Sequence, residues 1–346
     1  YNMVFTGEAL FGKDINAVQQ ININEAAANG TMIGSDNRPF WTTTASRRVV
    51  ASVGNAMVLE NTNEGYQYSL TAQLTKNFSS GLSGMFAYTY SAAKDISSNP
   101  GSAAYSAYSS NTGIGSLNDP GLSYSNFSTP HRFVSYVSYR KEYAKMLATT
   151  ITVSYKGYQT GRWSYTYSND LNNDGISSDL MYVPKNSSEL TFVDYTSGGV
   201  TMTAAEQADA FWAYVNSNEY LSSRKGKYAE RFGEVQPWIH RFDIKIVQDI
   251  FSNFGTAKKY SLQVSLDLLN VGNMINDSWG TYTYNPLASY ENVRPLTRVG
   301  LPTTTAAPTF RLNATSIDDF NTKTKLSKSI STGSTWGALL GLRFVF

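Results

Sequence analysis

The chain has no cysteine. Disulfide frameworks and thiolate metal sites are therefore excluded, a restriction that fits most compartments. Histidine occurs only at His131 and His240, each beside an arginine at the start of an extended segment. Neither has a carboxylate–nucleophile pattern near it of the kind catalysis needs, so no enzyme is expected. Asp95 and Asp243 read instead as charges of a wet interior or its rim. Charge is sparse at 16%, and a net charge of +2 provides no field for nucleic acid or an acidic partner. No apolar run approaches the ~18 residues that a spanning helix needs. A chain of this kind can cross a bilayer only as a closed β-barrel, because lipid offers free backbone groups no partner. No secretory leader is visible; Tyr1-Asn-Met-Val-Phe already reads as a strand, and the expectation is that an N-terminal part of a longer protein precedes it.

Aromatic residues are plentiful, with 24 Tyr and 17 Phe in 346 residues. They suit a surface whose apolar band is edged by rings. Period-two alternation is the strongest signal. Tyr260, Leu262, Val264, Leu266 and Leu268 alternate with Ser261, Gln263, Ser265 and Asp267. Phe242, Ile244 and Ile246 alternate with Arg241, Asp243 and Lys245. Tyr66, Tyr68, Leu70, Ala72 and Leu74 oppose Gln67, Ser69, Thr71, Gln73 and Thr75; Phe86, Tyr88 and Tyr90 continue the pattern, as do Leu147, Thr149, Ile151, Val153 and Tyr155. Such strands have one greasy and one wet side. A soluble sandwich also alternates, but its strands run about 5–6 residues, and its dry core would penalise Arg241, Asp243 and Lys245. The reading is therefore all-β: an antiparallel transmembrane β-barrel segment of between about nine and eleven long strands, with long loops outside the cell and a short loop helix.

Tight turns are expected at Phe78–Gly81, Glu142–Lys145 and Ser252–Lys258. Long polar stretches lie at Lys94–Pro130, Ser168–Gln236 and Asn273–Ser334. Bacterial barrels keep short turns on the periplasmic side and long loops outside. Residues 1–49 hold two or three strands, with Asn16–Asn24 rising and Phe40–Ala45 returning. Asp170, Asn172 and Asp174, followed by Gly175 and Asp179, repeat the spacing of a calcium loop, although Met181 stands at the twelfth position in place of Glu. Alternate oxygens could wrap Ca²⁺ there; a polar Asn/Asp turn is the plainer alternative. Thr203-Ala-Ala-Glu206 is a capping box that opens a helix with Ala204, Ala208, Phe211 and Val215 on one face.

The chain ends TWGALLGLRFVF. Gly341 followed by Phe344 and Phe346 resembles the terminal signal of outer-membrane barrels, with Leu339 near the place where that pattern carries a polar residue. The resemblance implies recognition by the outer-membrane assembly machinery. Three further stretches resemble the TonB-dependent receptor family in its SusC-like and Oar-like branch. They are Asn63-Glu-Gly-Tyr66 with the strand pair after it, Gln236-Pro-Trp-Ile-His-Arg-Phe-Asp243, and Leu266-Asp-Leu-Leu-Asn-Val-Gly-Asn273 followed by Trp279-Gly280. The resemblance implies that residues 1–346 form the C-terminal half of a barrel of about 22 strands, and that the plug domain and first strands lie outside this sequence. It further implies an outer membrane of a Gram-negative bacterium, energy-coupled nutrient import through TonB and the plug, and a SusD-like lipoprotein as a possible partner.

On that reading Tyr105, Tyr108, Tyr124 and Tyr165 are substrate-side aromatics, able to stack on sugar or peptide groups. The plainer alternative is that they pack loops together or anchor an interface girdle. Other functions compatible with the strands are a passive porin-like channel, a surface-attachment barrel and a secreted β-rich adhesin. The substrate is not legible in the sequence.

Overall fold

The computed structural model describes residues 3–99, 101–252 and 260–345. Its backbone is mostly antiparallel β-structure. Eight long strands make one sheet: β1 (Met3–Lys13), β2 (Tyr66–Asn77), β3 (Leu82–Asp95), β4 (His131–Tyr143), β5 (Leu147–Gln159), β6 (Trp238–Ser252), β7 (Tyr260–Leu269) and β8 (Gly337–Val345). Each pairs with its neighbours in chain order, and the short strand Ser123–Tyr124 adds to the end of β3. The nine to eleven long strands expected are thus eight among the described residues. Asn16–Asn24 supplies only Ala17–Asn22, which pairs with Met57–Thr62 outside the main sheet. Phe40–Ala45 is no strand of that sheet either: Pro39–Phe40 pairs with Gly30–Thr31, and a 3₁₀ turn covers Ala45–Arg47.

The alternation read in the sequence survives as registered rungs. One rung runs Tyr139–Ile151–Ile246–Leu266–Leu340. Another runs Phe5–Leu74–Phe86–Ser135–Tyr155–Phe242. The second begins near the first residue of β1, far from the long connection that follows that strand, and ends near the long connection that precedes β6. The strands are therefore strongly staggered. All side chains of a rung share a face, because the period of the pleat is two. That face carries large exposed apolar groups: Phe5 at 71%, Phe11 at 74%, Leu342 at 75% and Leu340 at 81%. The opposite face carries ion pairs and hydroxyl pairs. Arg140 reaches Asp249 at 2.5 Å, Lys245 reaches Asp267 at 2.9 Å, and the Ser138 and Thr152 hydroxyls lie 2.8 Å apart.

Strict up-and-down order puts four long connections at one end of the sheet: 14–65, 96–130, 160–237 and 270–336. The opposite end has tight turns at 78–81 and 144–146. The third expected turn, Ser252–Lys258, lies outside the described residues except for Ser252. Gly81 has φ +85°, and an added Cβ would strike the Arg140 carbonyl, so its turn requires glycine.

The long connections pack on one another. Their shared core includes Met32, Phe40, Trp163, Phe211, Leu296 and Phe320. Removing each such side chain from water contributes about 1.5–3 kcal/mol. Arg162–Tyr167 pairs in parallel with part of Asn292–Val299, and Thr191–Phe192 pairs in parallel with Thr309–Phe310. The capping box forms as expected: Thr203 caps α2 (Ala204–Ser217) and bonds reciprocally with Glu206, while Phe211 and Val215 are buried. Among the described residues no helix is long and apolar enough to cross a membrane.

Candidate functional site

The predicted site residues that are described fall on the packed connections or on β8, and the structure sorts them. Tyr108 is a correction. It is 2% exposed at the end of a short helix, α1 (Ala104–Ser110), and its hydroxyl donates to the Glu25 carboxylate (α1 lies before α2 in the chain). Burial and that carboxylate push its own ionisation far up. Tyr165 is a second correction. It is fully buried, donates to Glu234 Oε2 at 2.6 Å and stacks on Tyr220. Tyr108 binds one connection to another and Tyr165 ties together parts of its own, and neither is open to a ligand. Tyr124 is held between the Lys94 ammonium at 4.8 Å and the Arg162 guanidinium at 4.0 Å. Tyr105 on α1 is the exposed one of the four. No ring contact joins these four rings into one platform among the described residues.

The Asp170 loop folds as a set of Asx turns. Asp170 accepts from the Asp174 and Gly175 N–H groups at 3.1 and 2.8 Å, Asn172 Oδ1 accepts from Asp174 N–H at 3.0 Å, and Asp179 accepts from Leu171 N–H at 2.7 Å. The cations that meet this loop belong to the protein. Arg47 lies 3.3 Å from Asp170, and Arg38 lies 3.4 Å from Asp179. Among the described residues no group of three or more Asp, Glu, His or Cys side chains is arranged to hold a metal ion. The donor set thus does not fit Ca²⁺, because the spacing is spent on backbone donors and arginines. Burial raises Asp179 to about 7 despite Arg38 beside it, and burial with the Asp179 and Asp170 charges raises Asp174 well above the carboxylate range.

At the terminal strand, Gly341 faces Ser265, whose hydroxyl occupies the place an added Cβ would take. Phe344 lies on the apolar face and stacks on Tyr260, ring centroids 6.3 Å apart. Phe346 lies outside the described residues. The Asn270 motif also has a structural account. Asn270 sits in the left-handed region at φ 51° at the start of the short helix Val271–Ile275, makes no side-chain capping bond to it, and donates its side-chain amide to the carbonyls of Gly280 and Ser334 at 3.2 and 3.1 Å. Its backbone N–H donates to Asp243 at 2.8 Å. The two histidines join aromatic stacks on the apolar face. Tyr88 and Tyr155 hydroxyls lie 2.8 Å from His131 Nδ1 and His240 Nδ1, and Trp238 stacks against both rings.

Sequence reasoning missed the buried cations. Arg38 is 1% exposed, bonded to Asp36 at 2.9 Å and to the Leu180 carbonyl at 2.6 Å, with Tyr167 and Tyr228 rings on it. Arg231, also 1% exposed, binds Asp95 at 3.2 Å and Asn111 at 2.9 Å. Little local marks them, because apart from Asp36 beside Arg38 the partners lie in another connection or at a strand end. Sequence reasoning also missed a cleft of about 490 Å³ between residues 114–123 and 224–231. No family model matches the chain, and neither a curated protein nor a solved structure matches it.

Proposed function

We propose that this chain forms the C-terminal part of the barrel of a TonB-dependent receptor in the outer membrane of a Gram-negative bacterium, importing a nutrient such as a glycan or peptide. One observation carries the membrane part of this reading: the chain is inside-out. Most of its large apolar strand residues lie on one face without cover, while its buried apolar core lies in the connections. Seven spacings between eight strands at ~4.8 Å, and ten residues at ~3.3 Å, give a face of about 1,100 Å². Apolar patches on soluble monomers are typically about 300–600 Å². Lipid is the occupant that suits so broad a face. The height agrees. From Phe242 to the Ser252–Tyr260 rung is about 33 Å along a strand, hence about 25 Å at the usual barrel tilt, the height of a barrel's apolar band. Aromatic rings stand at both limits: Tyr68, Tyr90, Phe133 and Trp238 near the long connections, Tyr143, Tyr260 and Phe344 near the turns. The stagger of the rungs suits tilted strands in a curved sheet.

Within that reading the packed connections stand outside the cell as the substrate side. The Arg- and Lys-bearing wet face lines the lumen, where a plug domain contacted by TonB would dock. The aromatic terminus serves the assembly machinery, and a SusD-like lipoprotein would cover the connections. The receptor part rests on the family resemblance of the terminus, the Asn270 motif and the β2–β3 and β6 stretches. The test has two stages. Membranes washed at high salt and alkaline pH should retain the protein, detergent should release it, and its electrophoretic mobility should change on boiling. Release by the wash, or one mobility at all temperatures, ends the membrane reading. Cells lacking TonB should then lose growth on the same nutrient as cells lacking this protein; growth of the TonB-less cells would favour a passive channel.

A further inference from the structure

The cleft between residues 114–123 and 224–231 joins the second long connection to the third. Its volume of about 490 Å³ falls within the range of small-molecule sites. Ile114, Leu122 and Leu180 give it apolar walls, and Tyr228, whose ring also meets Arg38 and Tyr182, lines it beside them. Its charges are unbalanced: Arg224, Lys227 and Arg231 line it against the single carboxylate of Glu230. Glu230 is taken by Arg224 at 3.4 Å, and Arg231 is matched by Asp95 at 3.2 Å. Lys227 is left. Its ammonium has no carboxylate partner among the described residues, although its backbone is fixed by pairing with Val183. Arg231 adds a buried donor, since its Nε has no hydrogen-bond partner.

We propose that this cleft binds a small organic molecule through one carboxylate, either an acidic sugar or the C-terminus of a short peptide. The carboxylate would meet the Lys227 ammonium, and the body of the ligand would lie against Tyr228 and the apolar wall. One uncompensated cation matches a monoanion better than a phosphate dianion, which calls for a clustered set of free donors. Apolar and aromatic walls favour a ligand with carbon surface over a bare inorganic ion. The inference rests on the import reading for its biological meaning, because it makes the cleft the substrate side's selective element. The binding itself does not depend on transport.

The experiment is isothermal titration calorimetry on the full chain in detergent, with four probes: galacturonate, its neutral counterpart galactose, N-acetyl-trialanine, and the neutral N-acetyl-trialanine amide. One acid should bind while its neutral counterpart does not, and which acid binds identifies the source of the carboxylate. Lys227→Gln should weaken that binding about tenfold, the loss of one hydrogen bond to a charged group, with circular dichroism unchanged. Equal binding of acid and neutral probes, no binding of either acid to folded protein, or unchanged affinity in Lys227→Gln overturns the assignment. The same preparation is run boiled and unboiled. A heat-modifiable barrel that binds no acid sinks only this inference; a preparation with one mobility sinks the import reading whatever it binds.

Discussion

Leu340 offers the sharpest test of the inside-out sheet. It lies on the apolar face of β8, 81% exposed, on the rung Tyr139–Ile151–Ile246–Leu266–Leu340. Ile246 falls midway between Phe242 and the last residues of β6, so that rung marks the middle of the proposed band. An arginine at a barrel's midplane costs about 2–4 kcal/mol, and about 0–1 near the interface. On a water-exposed surface the same substitution stays within about 0.5 kcal/mol. Leu340→Arg should therefore lower the folded-to-unfolded ratio in lipid vesicles by about 30-fold or more, at 1.4 kcal/mol per factor of ten. Phe242→Arg, at the edge of the band, should cost less than half as much. Val247→Arg is the matched control, because Val247 pairs with Thr150 and Ser265 on the wet face. It should be near neutral. The assay is equilibrium denaturation in vesicles of the whole barrel to which the proposed function assigns this chain, followed by tryptophan fluorescence, with the boiled-against-unboiled mobility as a second readout. If Leu340→Arg and Val247→Arg cost the same, the two faces do not meet different solvents and the argument fails.

Two other outcomes follow from the packed connections. Burial raises the pKa of the Glu234 carboxyl, although Tyr165 and Asn218 bond to it. The folded state then holds more protons than the unfolded state just above the ordinary carboxylate range, so stability there rises as pH falls and is lost as pH climbs through the raised value. Resistance of the connections to protease should accordingly increase from pH 7 toward pH 5, and Glu234→Gln should flatten that slope; an unchanged slope would clear Glu234 of the effect. Gly280 has φ +64°, and an added Cβ would strike the Asn270 side chain that ties it to Ser334. Gly280→Ala should cost about 1–3 kcal/mol, and trypsin should then cut sooner within residues 270–336.

The sheet was legible in the sequence because its rule is local. A two-residue period needs no knowledge of the partner strand, so the faces of β2, β5, β6 and β7 could be read one strand at a time. α2 was legible for the same reason, since Thr203 and Glu206 lie three residues apart. The packed connections were not legible. Trp163, Tyr165 and Tyr167 also alternate, but their partners at Asn292–Val299 are far away in sequence, and parallel pairing leaves no turn signal. Asn16–Asn24 illustrates the limit: its extended pattern was right, yet period alone does not say which sheet a strand joins. The calcium spacing failed for a related reason. The D-x-N-x-D-G pattern encodes Asx turns, and only the arrival of Arg47 and Arg38 from another connection decides what meets the carboxylates.

The edges of the sheet complete the physical argument. β1 pairs only with β2, and β8 only with β7. Among the described residues each edge therefore has no second strand beside it. In lipid each backbone group left unpaired costs several kcal/mol, so a handful on two edges amounts to tens of kcal/mol, more than the whole stability of an ordinary domain. If the apolar face meets lipid, the edges must be paired. Joining β1 directly to β8 would make an eight-stranded barrel, whose interior is just wide enough for side chains to fill it. The wet face is unsuited to that: the side chains of Arg140, Lys156 and Lys245 are 40%, 49% and 52% exposed, and Lys156 and Lys245 extend toward partners across the face without being covered. Desolvating those cations in a filled interior would cost several kcal/mol each. Pairing the edges with further strands keeps the cations wet and the backbone satisfied together. If the apolar face meets lipid as proposed, the exposed charges and the open edges thus favour the same thing, a wider barrel of which these eight strands would form one arc.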